Sequence, residues 1–575
     1  MQRLTVIAAA LLLGACSTQN QQSASSTNSP QRSPKAEARV ANEADAALPQ
    51  KSTAAPMDVL RKLAPASVGE AQPAPGVMSM EMKRMVHPGS PPILPAGDRE
   101  RYQALDENPI KVVAEAPVST FSIDVDTGSW SNMRRFLNEG RLPPMDAVRV
   151  EEFINYFPYD YAAPTDARPF AVHTEVARSP WHQGNVLMRV ALKGKDLAKQ
   201  QLPAANLVFL VDVSGSMGSP DKLPLLQSSL KLLVQQMRPQ DRIALVTYAG
   251  QAGVVLPSTP GDQKAAILAA IDNLESGGST AGASGIEMAY RTARAGFMKD
   301  GINRILLATD GDFNVGTTDF RQLKQMVERE RQTGVSLSTL GFGTGNYNEQ
   351  LMEQMADAGD GAYSYIDSLM EGHKVLVNEM TSTLATIARD VKIQVEFNPA
   401  AVKEYRLIGY ENRQLKREDF NNDKVDAGDI GAGHTVTAIY ELTPIDGTGL
   451  IEPLRYGSDP RPEAAKANEL AHVRLRYKLP GEAASTLIER PVMRADARDI
   501  AATSPDFRFA TAIAGFGQLL RGGKYTGQWH LADARALAAS AVGTDRFGYR
   551  GEAIRLMDLA AAIAPTPPQE PVALQ

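Results

Sequence analysis

Apolar and polar positions follow one another along this chain in three different rhythms. Between residues 204 and 370, short unbroken apolar runs alternate with stretches of helical period. The runs 207–211, 243–248, 304–309, 336–341 and 363–366 predict buried strands. Residues 222–237, 264–274, 282–297, 321–333 and 348–358 space their apolar side chains for helices. Strands and helices alternating in this way predict an α/β unit on a doubly wound, mostly parallel sheet. Ligands of such sheets bind outside the carboxyl ends of the strands.

The flanks have other periods. On the N-terminal side, 121–126 predicts a strand, 129–139 and 146–156 amphipathic helices parted by Pro143 and Pro144, and 170–177 and 185–192 half-buried strands. On the C-terminal side a helix is expected over 376–389, then strands at 392–397, 405–410, 434–442 and 471–477. With no helices between them, these strands predict an antiparallel, sandwich-like region. Strands 392–397 and 434–442 are expected to pair with 170–177 and 185–192, which would insert the α/β unit into one sandwich. Residues 503–521, 528–541 and 548–562 predict three closing helices.

The N-terminus reads as an address. Arg3 precedes an apolar stretch over 4–13, and Leu13-Gly14-Ala15-Cys16 follows at once. This arrangement resembles a bacterial lipobox, in which the signal is cut before the cysteine and the cysteine is lipidated. Cys16 would then anchor the chain to a membrane, and Ser17 after it points to the outer membrane, facing the periplasm or the surface. From Cys16 to Tyr102 there is no aromatic residue, and Pro, Ser, Ala and Gln dominate, so this stretch is expected to be a disordered tether. A flexible chain of about 85 residues has an r.m.s. span of about 50 Å.

Composition narrows the function classes. At 575 residues, three or four folded units are expected. Lys and Arg number 60 against 66 Asp and Glu, a net charge of −6, which speaks against a nucleic-acid partner. A single cysteine excludes an intrachain disulfide, a multi-cysteine zinc site and a CxxC redox pair.

The residues that carry chemistry stand at predicted strand ends. Asp212-Val-Ser214-Gly-Ser216 follows the first strand of the α/β unit without a gap. Gly277-Gly-Ser-Thr280 opens the helix at 282, and a later strand ends in Asp310-Gly311. Three hydroxyls and two carboxylates form an all-oxygen set suited to Mg²⁺, Mn²⁺ or Ca²⁺ and not to Zn²⁺. The carboxylates neutralise the ion, while the neutral hydroxyls leave it electrophilic enough to take one more anionic oxygen.

Residues 204–370 resemble a von Willebrand factor A domain, and these five residues match its metal-ion-dependent adhesion site. The resemblance implies that Ser214, Ser216 and Thr280 bind the ion directly, Mg²⁺ being the expected one. Asp212 and Asp310 would act mainly through water, with Asp310 able to coordinate directly in other states. The stretches FSIDVDTGSWSN, RLPPMDAVRVEEFINYF and GAGHTVTAIYEL extend the likeness to bacterial YfbK-like proteins, which carry family-specific regions on both sides of the A domain. The resulting partition is a lipoprotein signal over 1–15, a tether over 16–101 and an N-terminal flank over 102–203. The A domain over 204–370, a β-rich flank over 371–482, a helical region over 483–564 and a tail over 565–575 complete it.

Other motifs weigh less. Asp124-Val-Asp126-Thr-Gly-Ser lacks the hydroxyls of a second metal loop and reads as a structural turn. Ser214-Gly-Ser216-Met-Gly218 misses the first glycine of a nucleophile elbow. Gly341-Phe-Gly343-Thr-Gly345-Asn346 lacks the third glycine of a dinucleotide loop and is expected to border the metal face. In the turn from Asp419, Lys424 and Ile430 replace the glycine and glutamate of a calcium loop. The seven histidines show no HExxH.

These features predict an anchored envelope protein that is a binding module and not an enzyme. Its A domain would bind a divalent cation and, through it, an acidic residue of a protein partner. Two other readings stay open: an envelope-biogenesis scaffold whose metal is capped by an acidic residue of its own flanks, and an enzyme using the metal as a Lewis acid.

Overall fold

The computed structural model describes residues 99–278, 282–311, 320–452, 454 and 468–564. The expected signal, Cys16, the tether through residue 98, Thr280 and the tail from 565 lie outside the described residues.

The N-terminal flank contains β1 (Lys111–Val112), β2 (Val118–Ser122), α1 (Gly128–Asn138), α2 (Val150–Asn155), β3 (Phe170–Arg178) and β4 (Val186–Gly194). The α/β unit follows as β5 (Ala205–Asp212), α3 (Leu223–Gln236), β6 (Arg242–Tyr248), β7 (Ala252–Pro260), α4 (Lys264–Asp272), α5 (Gly282–Ala295), β8 (Ile302–Thr309), α6 (Phe320–Arg331), β9 (Ser336–Phe342), α7 (Glu349–Ala358) and β10 (Tyr363–Ile366). Next come α8 (Leu369–His373), α9 (Met380–Leu384), β11 (Thr386–Phe397), β12 (Val402–Ile408), β13 (Gly428–Gly431), β14 (Thr435–Pro444), β15 (Glu469–Lys478), β16 (Thr486–Met493) and β17 (Ala497–Arg498). Three helices close the chain: α10 (Pro505–Leu520), α11 (Leu531–Ala539) and α12 (Tyr549–Ile563).

The sheet of the α/β unit runs β10-β9-β8-β5-β6-β7, parallel except for β7. Its apolar strands are buried on both faces, as a parallel sheet covered by helices requires. Phe209 and Val211 pack with Leu226 and Leu230 of α3 and Ile267 of α4, while Val208 and Leu210 pack with Ile286 of α5 and Leu323 of α6. Edge strand β7 is absent from the sequence-based expectation. Val254 and Val255 are exposed there, and Pro257 and Pro260 interrupt the run, so it carries no core-facing signal.

The flanks share two further sheets, β1-β12-β14-β4-β3-β17 and β13-β11-β15-β16, with β2 added on β11. β14 pairs with β4 from Thr435↔Lys193 to Leu442↔Val186, so strands on either side of the α/β unit meet in one sheet. The expected pairing of 392–397 differs: β11 lies between β2 and β15 in the facing sheet. Phe170, Val190 and Tyr440 of one sheet share a core with Phe121, Ile393 and Val473 of the other.

Three further expectations are corrected. The helix over 376–389 is a broken path, with a π turn at Lys374–Asn378, then α9, then strand from Thr386. Thr386 and Ile387 are β-branched, and pairing of Thr386 with Gly431 decides for the strand. Residues from 483 are not helical at first, because β16 and β17 precede α10. Pro491 masked β16, yet that strand is the edge of its sheet, where a missing N–H is tolerated. The expected tether over 16–101 overlaps paired backbone: Arg99 N–H donates to Gly345 O at 3.0 Å and Arg101 N–H to Tyr347 O at 2.8 Å.

The closing helices do not stand alone either. Trp130 of α1 and Phe153 of α2 pack with Phe509 and Phe516 of α10, Ala534 of α11 and Leu556 of α12 in one core. Arg134 of α1 pins that core to the end of the α/β unit. It donates to Asp367 at 2.5 Å, Glu371 at 2.7 Å and Glu552 at 3.0 Å.

Candidate metal centre

β5 lies between β6 and β8. From β5 the chain turns to α3 on one face of the sheet, whereas β8 leads to α6 on the other. The two connections part at the carboxyl ends of β5 and β8, the switch point where doubly wound sheets open a crevice. Asp212 ends β5, and Asp310 follows the last residue of β8.

Both carboxylates are fully buried. Asp212 is held by three donors: Ser214 N–H to Oδ1 at 2.9 Å, Thr309 Oγ1 to Oδ2 at 2.8 Å and Tyr248 OH to Oδ2 at 3.3 Å. Burial raises the pKa of its carboxyl, and the hydrogen bonds from Ser214 and Thr309 oppose that rise. The Ser214 and Ser216 hydroxyls lie 3.0 Å apart, Ser214 buried and Ser216 facing solvent.

The third loop joins them through its backbone. Gly215 N–H donates to Gly278 O at 3.1 Å, and Gly277 N–H to Val213 O at 2.7 Å. Thr280 itself is outside the described residues. Gly278 has φ of +87°, which favours glycine at this approach. Four of the five expected residues are thus placed on one loop cluster. Among the described residues no group of three His, Cys, Asp or Glu side chains is arranged to hold a metal.

Sequence reasoning missed several contributors. Thr309 and Tyr248 orient Asp212, yet both look like ordinary strand residues. Lys222, just before α3, donates to Asp310 Oδ2 at 2.9 Å and to Asn346 Oδ1 at 3.3 Å. A lone lysine where a helix begins was its only signal. The glycine loop 341–346 does border this face, and Gly345 N–H is taken by Glu100 Oε1 at 2.9 Å.

The Asp124-Val-Asp126 turn lies elsewhere, against α7. Asp126 N–H donates to Asp124 Oδ1 at 3.1 Å, and Tyr363 N–H donates to Asp126 Oδ1 at 2.7 Å. Both carboxylates pair with Arg413, so the turn serves an ion-pair junction between sandwich and α/β unit.

Matches to family models follow the same division of the chain. Residues 206–379 match the von Willebrand factor type A domain, 96–189 a von Willebrand factor model, and 382–563 the C-terminal region of uncharacterized protein YfbK. The chain is 31% identical over 196 residues to uncharacterized protein sll0103 of Synechocystis sp., covering 34% of this chain and 45% of that one. A solved von Willebrand factor type A protein from Catenulispora acidiphila aligns over 68% of this chain and 91% of its own, at 15% identity and a TM-score of 0.37. Uncharacterized protein YfbK of Escherichia coli is 50% identical over 503 residues, 86% of each chain. At that identity and coverage, the chain belongs to the YfbK family, with a von Willebrand factor type A domain set between the family's two flanking regions.

Proposed function

We propose that this protein is a lipid-anchored interaction module of the bacterial cell envelope. Its A domain binds a divalent cation, Mg²⁺ ahead of Mn²⁺ or Ca²⁺, and through it an acidic side chain of a protein partner. A von Willebrand A domain within a YfbK-type chain supports a protein-interaction role. The observation that carries the finer reading is the meeting of Asp212, Ser214, Ser216 and Asp310 at the carboxyl ends of β5 and β8.

The donor chemistry fits a hard cation. Ser214, Ser216 and Thr280 would hold the ion directly, with Asp212 and Asp310 behind water. When bound, the ion supplies an electrophilic position open to an outside carboxylate. The chain's own residues prepare that position. Thr309, Tyr248 and the Ser214 N–H fix the Asp212 carboxylate, and exposed Ser216 faces an arriving partner. Leu-Gly-Ala-Cys16 supplies the anchor, and the tether lets the domain search for partners beyond the membrane surface.

An intramolecular cap is less well supported. Glu100 is the flank carboxylate tied to the loop bordering this face, but Gly345 N–H engages one oxygen and Arg135 the other at 2.7 Å. The decisive experiment is crosslinking and pull-down from intact cells, with and without EDTA, comparing wild type with Asp212→Ala. A partner recovered only by wild type with metal is expected. Equal recovery in every arm rejects the reading.

A further inference from the structure

Lys222 is an anomaly of charge and place. It immediately precedes α3, where the helix dipole disfavours a cation. Its side chain is only 8% exposed, and a buried ammonium needs a compensating anion. Asp310 supplies the charge, and Asn346 a second acceptor.

The surrounding loops are shaped around it. Gly343 has φ of +72°, and a Cβ there would approach Lys222 Cε to 2.2 Å. The positive φ favours glycine at 343, and the absence of a side chain leaves room for the lysine stem in this position. Tyr365 OH donates to Gly343 O at 2.8 Å and fixes that loop. The chain thus uses the loops after β5, β8 and β9 to hold one ammonium against one carboxylate of the candidate metal centre.

We infer that Lys222 is a resident monocation that competes with the divalent ion for Asp310 and sets the ion affinity of the site. This rests on the metal-site reading above. While Lys222 neutralises Asp310, an arriving ion gains little from that carboxylate and also meets the repulsion of a nearby positive charge. The ion is therefore held weakly by the chain alone and keeps more of its own charge for the partner's carboxylate. Ion and partner would then bind as a cooperative pair, so that an ion-loaded site without a partner is scarce. The glycine loop that resembles a dinucleotide motif serves here as the cradle of the lysine.

The test is calorimetric titration of the full chain with MgCl₂ and MnCl₂, comparing wild type with Lys222→Met, which keeps the stem and removes the charge. Lys222→Met is expected to bind Mg²⁺ about tenfold more tightly or better. It should also melt lower than wild type in EDTA and recover more on Mg²⁺ addition, since Asp310 loses the ammonium charge until the ion arrives. Equal or weaker ion binding by Lys222→Met, with wild type binding normally, overturns the inference and leaves the metal-site reading standing. If neither protein binds either ion, both fall. If Lys222→Met does not fold even with Mg²⁺, Asn346→Ala decides. Loss of the second acceptor should loosen the lysine and tighten Mg²⁺ binding several-fold, and no tightening overturns the proposal.

Discussion

Arg413 donates to Asp126 Oδ2 at 3.0 Å within the flanking region, at its border with the A domain. The same guanidinium pairs with Asp124 at 3.3 Å, and with Glu353 and Asp357 of α7 at 3.4 and 2.7 Å. One cation thus holds carboxylates from the β2–α1 turn and from the A domain. Removing it would leave buried like charges facing one another, the costly way to break a buried ion pair. Arg413→Met should lose about 3–5 kcal/mol of stability. Asp126→Asn added to it should restore part of the loss, because the repulsion falls. Urea unfolding of the single and double variants checks both; additive losses would show that the two residues are not coupled.

The junction also predicts a pH dependence. Burial pushes Glu349 up to about 8, with Arg149 opposing, and pushes Glu151 and Glu353 up to about 7. Their folded values lie above the unfolded ones, so the folded chain binds more protons and stability falls as pH rises through that range. His434 has the opposite sign. Burial pushes it down to about 4, and its contribution is lost as pH falls below its ordinary value of 6.5. Between about pH 6.5 and about pH 8.5 only the carboxylate effect remains, and stability should drop by roughly 2–3 kcal/mol. Melting curves across that window test it. Glu349→Gln should flatten the decline, and a stability that rises toward pH 8.5 would contradict the assignment.

The parts of this fold that were legible in the sequence are those whose period and burial agree. The run ending in Asp212 is apolar throughout because both faces of β5 are covered, and its hydroxyl motif follows without a gap. Long-range partners were not legible. Thr309 looks like a strand residue, and its bond to Asp212 exists only because β8 lies beside β5. Lys222 reads as a helix-start lysine until the ends of β8 and β9 are brought beside it. Pro491 argues against a strand unless its place at a sheet edge is known. Thr386 shows how pairing with a distant glycine strand overrides a helical pattern.

Two glycines in the closing helices should respond with opposite sign to the same change. Replacing a helical glycine with alanine gains up to about 1 kcal/mol in propensity. At Gly551 a Cβ would meet nothing nearer than 3.4 Å, so Gly551→Ala should keep part of that gain. At Gly515 a Cβ would lie 1.9 Å from Trp529 Cζ3, inside the core shared by α10 and α11. Overpacking costs about 1–3 kcal/mol or more and outweighs the propensity gain. Gly515→Ala should therefore unfold at lower urea than wild type, and Gly551→Ala at higher urea.

Ion binding at the A domain should be felt in the flanks, and the tryptophans make this measurable. The chain has 3 tryptophans, and all lie in the core of the flanking helices, none in the A domain. Ion that binds only the folded state stabilises the A domain by RT ln(1 + [L]/Kd), about 2.7 kcal/mol at a hundredfold excess over Kd. Tryptophan fluorescence would report this only if the flanking core unfolds together with the A domain. Arg134 provides the link, since it ties α1 beside Trp130 to Asp367 and Glu371 just beyond β10. Adding Mg²⁺ to wild type should raise the unfolding midpoint seen by tryptophan and by circular dichroism alike. In Ser214→Ala both shifts should vanish. In Arg134→Met the circular dichroism shift should persist while the tryptophan shift shrinks, separating loss of the ion from loss of coupling. A tryptophan shift of full size in Arg134→Met would show that the flanking core is coupled to the A domain by other contacts.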